Sequence, residues 1–160
     1  MRCEMKTDEI VINVREMVEA DGEFVLEIRN DDSTRSRLHN PSKFTLDQFS
    51  CFYKSKSPWW LIVSCDGEDF GYFRTDYVDR KNKSIQVGMD IHPNHRGKGL
   101  AKPSYKKLFD HLKAEGFEIV WLEVLKSNTL AHDIYKKLDF TETNRVKYGE
   151  DESIRMERLV

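Results

Sequence analysis

The stretch Ile91-His92-Pro93-Asn94-His95-Arg96-Gly97-Lys98-Gly99-Leu100-Ala101 carries an apolar strand end through a glycine-rich turn into a helix. Upstream, Ser84 to Ile91 reads as a strand with Ile85, Val87, Met89 and Ile91 on one face. Downstream, Leu100, Tyr105, Leu108, Phe109 and Leu112 recur at helical spacing, and Gly116 is a stop signal. The turn therefore sits at a helix N-terminus, where the first N–H groups lack internal acceptors and the dipole adds partial positive charge. Gly97 and Gly99 let the main chain turn tightly and approach a pyrophosphate, while Arg96, Lys98 and Lys102 add formal charge. Pro103 falls in the first helical turn, where a missing N–H costs little. The spacing fits neither the P-loop nor the dinucleotide glycine pattern, so this is a phosphate cradle of another kind.

Outward from this turn, the chain reads as strands and helices in a fixed order. Glu9 to Arg15 alternates as a first strand, and Asp21 caps a helix carrying Phe24, Val25 and Ile28. Ser33 to His39 is a polar segment with one helical turn, and Thr45-x-x-Gln48 is a capping box opening a second helix that ends near Pro58. Trp59 to Cys65, Phe70 to Val78 and Ser84 to Ile91 form an antiparallel meander, with turns at Asp66–Asp69 and Asp79–Lys83. A strand from Ile119 to Val124, a helix from Asn128 to Leu138, and strands over Phe140–Lys147 and Ser153–Val160 complete it. On the last helix Leu130, Ala131, Ile134 and Leu138 read as the inward face.

Arg96-x-x-Gly99-x-Ala101 after a strand ending in x-Pro resembles the acyl-CoA pyrophosphate motif of the GNAT N-acetyltransferase superfamily. Asn128-x-x-Ala131-x-x-x-Tyr135-x-x-x-Asp139-Phe140 is similar to the family's second motif, with Asp139 where Gly is usual. Asp tolerates the left-handed backbone that a Gly there implies. The element order resembles the family from end to end. The resemblance implies an α+β GNAT fold: a mixed, mostly antiparallel sheet of six or seven strands, with a parallel, splayed central pair and about four helices, in a single domain over residues 1–160.

Composition bounds the partners. The chain has 160 residues, a formal net charge of −2, 39% hydrophobic and 34% charged residues, and no run long enough for a membrane span. That balance argues against an extended nucleic-acid surface. Met1 to Glu9 has no apolar signal region, so cytoplasm is the expected location. Cys3, Cys51 and Cys65 are scattered and read as thiols, not as a metal site or a disulfide framework. A monomer or homodimer without metal is expected, binding a small molecule.

The resemblance implies acetyl-CoA as co-substrate, held by Met89, Asp90, Ile91, Arg96, Gly97, Lys98, Gly99, Leu100, Ala101, Asn128, Ala131 and Tyr135. It also implies that Tyr135 donates a proton to the departing thiolate. An amine acceptor must lose a proton before attack. Gln86 stands where relatives often carry a Glu, leaving Asp90, Glu123, His39, His92 or a water relay as the base. Asp90 and His92 lie on the face opposite Met89 and also read as solvated. A weaker likeness, Ile28-Arg29-Asn30 followed by Phe44-Thr45, resembles acetyltransferases of nucleotide-linked amino sugars, with Arg29, Asn30, Arg35, Arg37, His39 and Asn40 as donors. The expected activity is direct transfer of acetyl from acetyl-CoA to a primary amine, with an amino sugar as acceptor. Acetylation of a protein N-terminus, or a non-catalytic acyl-CoA-binding role, are the alternatives.

Overall fold

A computed structural model describes residues 10–160. Seven strands form one sheet in the order β1-β2-β3-β4-β5-β7-β6: β1 (Ile12–Glu16), β2 (Leu61–Cys65), β3 (Glu68–Asp79), β4 (Ser84–Ile91), β5 (Ile119–Leu125), β6 (Thr141–Tyr148) and β7 (Asp151–Leu159). All neighbours are antiparallel except β4 and β5. Five helices accompany it: α1 (Gly22–Arg29), α2 (Asp32–Arg35), α3 (Leu46–Lys56), α4 (Ala101–Ala114) and α5 (Thr129–Lys137). This is the α+β architecture expected, with one helix more because the polar segment after α1 closes a full turn capped by Asp31.

Two apolar layers hold the sheet. On one face Ile85, Val87, Val120, Leu122, Ile154 and Met156 pack against Tyr105, Leu108 and Leu112 of α4 and Leu138 and Phe140 after α5. On the other face Ile62 and Tyr72 meet Val25 and Ile28 of α1 and Phe49 of α3. Each fully buried Leu or Ile contributes about 1.5–3 kcal/mol, so these layers outweigh any single polar contact.

Local signals act where the spacing placed them, with corrections. The Thr45–Gln48 box forms in both directions, at 3.1 and 2.8 Å. Asp21 does not cap α1. Its carboxylate accepts the Val18 N–H at 2.8 Å and pairs with Arg15 at 2.7 Å, closing a 3-10 turn ahead of the helix. The hairpin turn after β2 is tighter than expected, Asp66-Gly67 alone, both with positive φ. Leu130 is 64% exposed, not inward, because α5 presents Ala131, Ile134 and Tyr135 to the core instead. Cys65 is buried and disulfide-bonded, which corrects its reading as a thiol, whereas Cys51 is free and exposed. The expected start of the first strand at Glu9 lies outside the described residues, and none of the described helices is long and apolar enough to cross a membrane.

Candidate active site

The parallel strands β4 and β5 pair only at Ser84 with Ile119, Ile85 with Val120 and Gln86 with Trp121. Beyond Gln86 a gap opens. The His92 N–H donates to Phe70 O on the β3 side at 2.8 Å, and the Lys83 carbonyl accepts from Ile119 on the β5 side. Strand alternation then aims the main-chain groups of Met89 and Ile91 into the gap and those of Asp90 away from it. The Ile91 carbonyl is taken by Arg96 Nε at 3.0 Å, leaving the Ile91 N–H and both groups of Met89 facing the opening.

At the end of β4 the chain makes a 3-10 turn, Pro93–His95, capped by His92 Nδ1. Gly97 and Gly99 then adopt φ of 72° and 71°, a left-handed conformation that side chains with a Cβ resist. Among the described residues, none of the main-chain N–H groups from Gly97 to Ala101 donates to a protein acceptor. Five successive donors at a helix N-terminus form a nest for a phosphate. Lys98 and Lys102 stand beside it without an ion pair among the described residues. The Arg96 side chain faces elsewhere, donating to Ser33 and Thr34 hydroxyls at 2.5 Å and tying the turn to α2.

Across the gap, Asn128 caps α5 by accepting the Ala131 N–H at 3.4 Å, so its side-chain NH2 remains available. Tyr135 is half-buried against Phe140, and its hydroxyl meets that of Tyr105 at 3.5 Å. Burial pushes the Tyr135 phenol above its ordinary range, which keeps the proton on oxygen at neutral pH. Asp139 has φ of 65°, the left-handed position expected of it, and ends α5 so that Phe140 turns inward.

The opposite face of the sheet gathers side chains. Asp90 is 7% exposed and accepts from Arg74 Nε at 3.0 Å, so it is a buried ion pair, not a solvated carboxylate. The rest of the Arg74 guanidinium lies over Gly88, where a Cβ would stand 2.6 Å from Nη2. Glu123 of β5 and Ser153 of β7 meet through a 3.2 Å hydrogen bond, and His39 Nε2 reaches the same Ser153 hydroxyl at 2.8 Å. Arg155 covers Trp121 at 3.7 Å and pairs with Glu157 at 2.8 Å.

The expected acceptor donors divide. Arg29 donates to the carbonyls of Asn40 at 2.5 Å and Ser42 at 3.2 Å, and Asn30 exchanges two bonds with the Phe44 main chain. Arg35 donates to the Pro41 carbonyl. These three brace the loop between α2 and α3 and are committed to it, whereas Arg37 stays exposed. His92 is engaged with Glu27 at 2.9 Å. Arg74 and Ser153 escaped the sequence reading. The β3–β4 register sets Arg74 opposite Gly88 and diagonal to Asp90, but only through an irregularity between Asp76 and Asp79; counting from the Asp79–Ser84 pair at the turn would have put Arg74 opposite Met89.

A splayed parallel pair with a nest of amides at the end of its first strand suits a phosphate-bearing ligand with an extended arm. Residues 22–140 match the acetyltransferase (GNAT) family, and the chain belongs to it. It is 31% identical over 86 residues to spermidine N(1)-acetyltransferase of Escherichia coli K12, a match covering 51% of this chain and 44% of that protein. It is 35% identical over 97 residues to the [ribosomal protein bS18]-alanine N-acetyltransferase of Haemophilus ducreyi, covering 53% of this chain and 67% of that protein. The matched region thus spans less than half the length of the spermidine enzyme and two thirds of that of the bS18-alanine enzyme. In fold, it is similar to spermidine N-acetyltransferase from Vibrio cholerae, solved with CoA and spermine, at a TM-score of 0.85 and 18% identity over 92% of this chain and 95% of that one.

Proposed function

We propose that this protein moves an acetyl group from acetyl-CoA to a primary amine of a small molecule by direct transfer, with both substrates bound together. The observation that carries the reading is the run of unpaired amides from Gly97 to Ala101 at the end of a strand whose Met89 and Ile91 groups face a gap. Those amides, with Lys98 and Lys102, suit a pyrophosphate, and the open edge of β4 suits an extended amide-bearing arm paired like a strand. Acetyl-CoA, when bound, supplies an activated thioester carbonyl. A β4 amide near Met89 to Ile91 polarises it, and Tyr135 holds the proton that the departing sulfur needs.

The acceptor belongs on the face carrying Arg74, Asp90, Glu123 and Trp121. An amino sugar, nucleotide-linked or free, fits less well than an aliphatic amine without phosphate or sugar hydroxyls, because Arg29, Asn30 and Arg35 are engaged with the loop main chain. The Glu123 carboxylate, which has no Arg or Lys partner among the described residues, suits a positively charged acceptor. A peptide α-amine is the second reading, favoured by the likeness to the bS18-alanine enzyme.

Thiol release from acetyl-CoA is the test, measured with polyamines, amino sugars, nucleotide-linked amino sugars and short peptides. Stimulation by polyamines or other small cationic amines supports the proposal, and stimulation by peptides alone moves the acceptor to the second reading. Tight acetyl-CoA binding with no stimulation by any amine would instead indicate a non-catalytic acyl-CoA-binding protein.

A further inference from the structure

The geometry assigns the proton acceptor of this reaction to His39 Nδ1, with Ser153 and Glu123 as the pair that orients the imidazole from the other side. This assignment rests on the acetyl-transfer reading above. His39 Nε2 lies 2.8 Å from Ser153 Oγ, and that hydroxyl lies 3.2 Å from Glu123 Oε2. One arrangement satisfies all three groups: Nε2–H donates to Ser153, and Ser153 O–H donates to the Glu123 carboxylate. The lone pair is then on Nδ1. That atom has no protein partner among the described residues, and it is not among the side-chain atoms sealed from solvent without one. The side chain of His39 keeps 30% of its exposure, so the open nitrogen can be reached.

The imidazole is held against rotation. The Tyr148 hydroxyl of β6 donates to the His39 carbonyl at 2.5 Å, and the two rings meet edge to face at 4.8 Å. Ser153 is 3% exposed and cannot turn to solvent. Ser153, Glu123 and Tyr148 therefore act as positioning residues, and His39 alone is assigned contact with the amine. Its place relative to the gap follows from Glu123, two residues past Trp121, the last β5 residue paired with β4, so the His39–Ser153–Glu123 group stands where the two strands have separated.

The charged groups around His39 come from every element packed on it: Glu123 on β5, Arg74 on β3 and Asp151 at the start of β7. Burial lowers the imidazole below its ordinary value, Glu123 and Asp151 oppose this, and Arg74 adds to it. A His so placed is neutral at physiological pH and free to accept a proton. The steps balance as follows. The ammonium gives one proton to His39 Nδ1, which later returns it to solvent. The amine nitrogen then forms a bond to the thioester carbon, the carbon–sulfur bond breaks, and the Tyr135 hydroxyl protonates the sulfur. The second nitrogen proton restores the Tyr135 oxygen.

The sign of the pH dependence is fixed by this scheme. Activity requires neutral His39, so kcat/KM falls on the acid side as pH drops through the His39 pKa, below the ordinary histidine value. Glu123→Gln removes an influence that raises this pKa and moves the acid limb to lower pH. Arg74→Gln removes one that lowers it and moves the limb up. An NMR titration of the His39 ring in the protein without substrate must give the same midpoint and the same two displacements.

The experiment combines that titration with thiol release from acetyl-CoA, using whichever panel amine stimulates the unaltered protein most. The expected result for His39→Ala is a loss in kcat/KM of about 100-fold or more at neutral pH, partly recovered by added imidazole, with acetyl-CoA affinity retained. Glu123→Gln, nearly isosteric, guards against misfolding as the cause. An unaltered protein that no amine stimulates sinks the acetyl-transfer reading and this assignment with it. A stimulated protein in which His39→Ala keeps its rate, or in which the limb ignores Glu123→Gln, overturns the assignment alone.

Discussion

The two sides of the splayed strands are built on different principles. The side formed by the end of β4, the glycine turn, α4 and α5 presents main-chain groups: five amides of one turn and the open edge of one strand. The side formed by the loop after α2, β5 and β7 presents side chains brought together from afar, His39 and Ser153 being 114 residues apart. A main-chain site needs only the right backbone, and a short run of glycines at a fixed place supplies it. A side-chain site depends on every strand register between its members.

The largest expected effect falls on the main-chain side alone. Gly99→Val puts a β-branched residue at φ of 71° and disrupts the nest, weakening acetyl-CoA binding by about 100-fold, the size of two charge-assisted hydrogen bonds. Calorimetry measures it, and the His39 titration should be unmoved. A shifted titration would mean the two sides are not separate.

Tyr135→Phe comes next, with kcat at neutral pH lower by about 100-fold and acetyl-CoA affinity nearly intact. Equal losses in both would reduce Tyr135 to packing. Gly88→Ala acts on the other side only: a Cβ 2.6 Å from Arg74 Nη2 must displace the guanidinium. A change of about tenfold in the KM for the amine is expected, with acetyl-CoA affinity constant, and an unchanged KM would remove Arg74 from the acceptor site. The smallest effect belongs to neither side. Thr45→Ala loses the α3 cap and about 1 kcal/mol, lowering the melting temperature by roughly 2–4 °C without touching kinetics.

The same contrast explains what could be read from the sequence. The sheet arrangement was implied by the family resemblance, whereas the succession of strands and helices along the chain, the tight turn at Gly97 and Gly99, the Asn128 cap and the left-handed Asp139 follow from residues within one or two turns of each other. So did the buried face of α4, whose Tyr105, Leu108 and Leu112 recur at helical spacing. The acceptor side was legible only as a set of candidates. Arg29 and Asn30 looked free because nothing nearby in sequence shows that the carbonyls of Asn40, Ser42 and Phe44 return to them. Asp90 looked solvated because its cation lies sixteen residues back on the facing strand. Ser153 carried no signal at all, since a lone serine in a strand gains meaning only from its neighbours in space.

The early end of the β4–β5 ladder has a mechanical side. Three rungs join a leaf of four strands to a leaf of three, and past them the seam is held by rings and aliphatic groups, Tyr105, Tyr135 and Phe140 among them. Hydrogen-bonded rungs fix both distance and angle, whereas packed rings fix distance and leave angle soft. The sheet is therefore stiff within each leaf and compliant along one line. An extended molecule laid into that line would supply the missing rungs, so filling the opening would also stiffen the whole sheet.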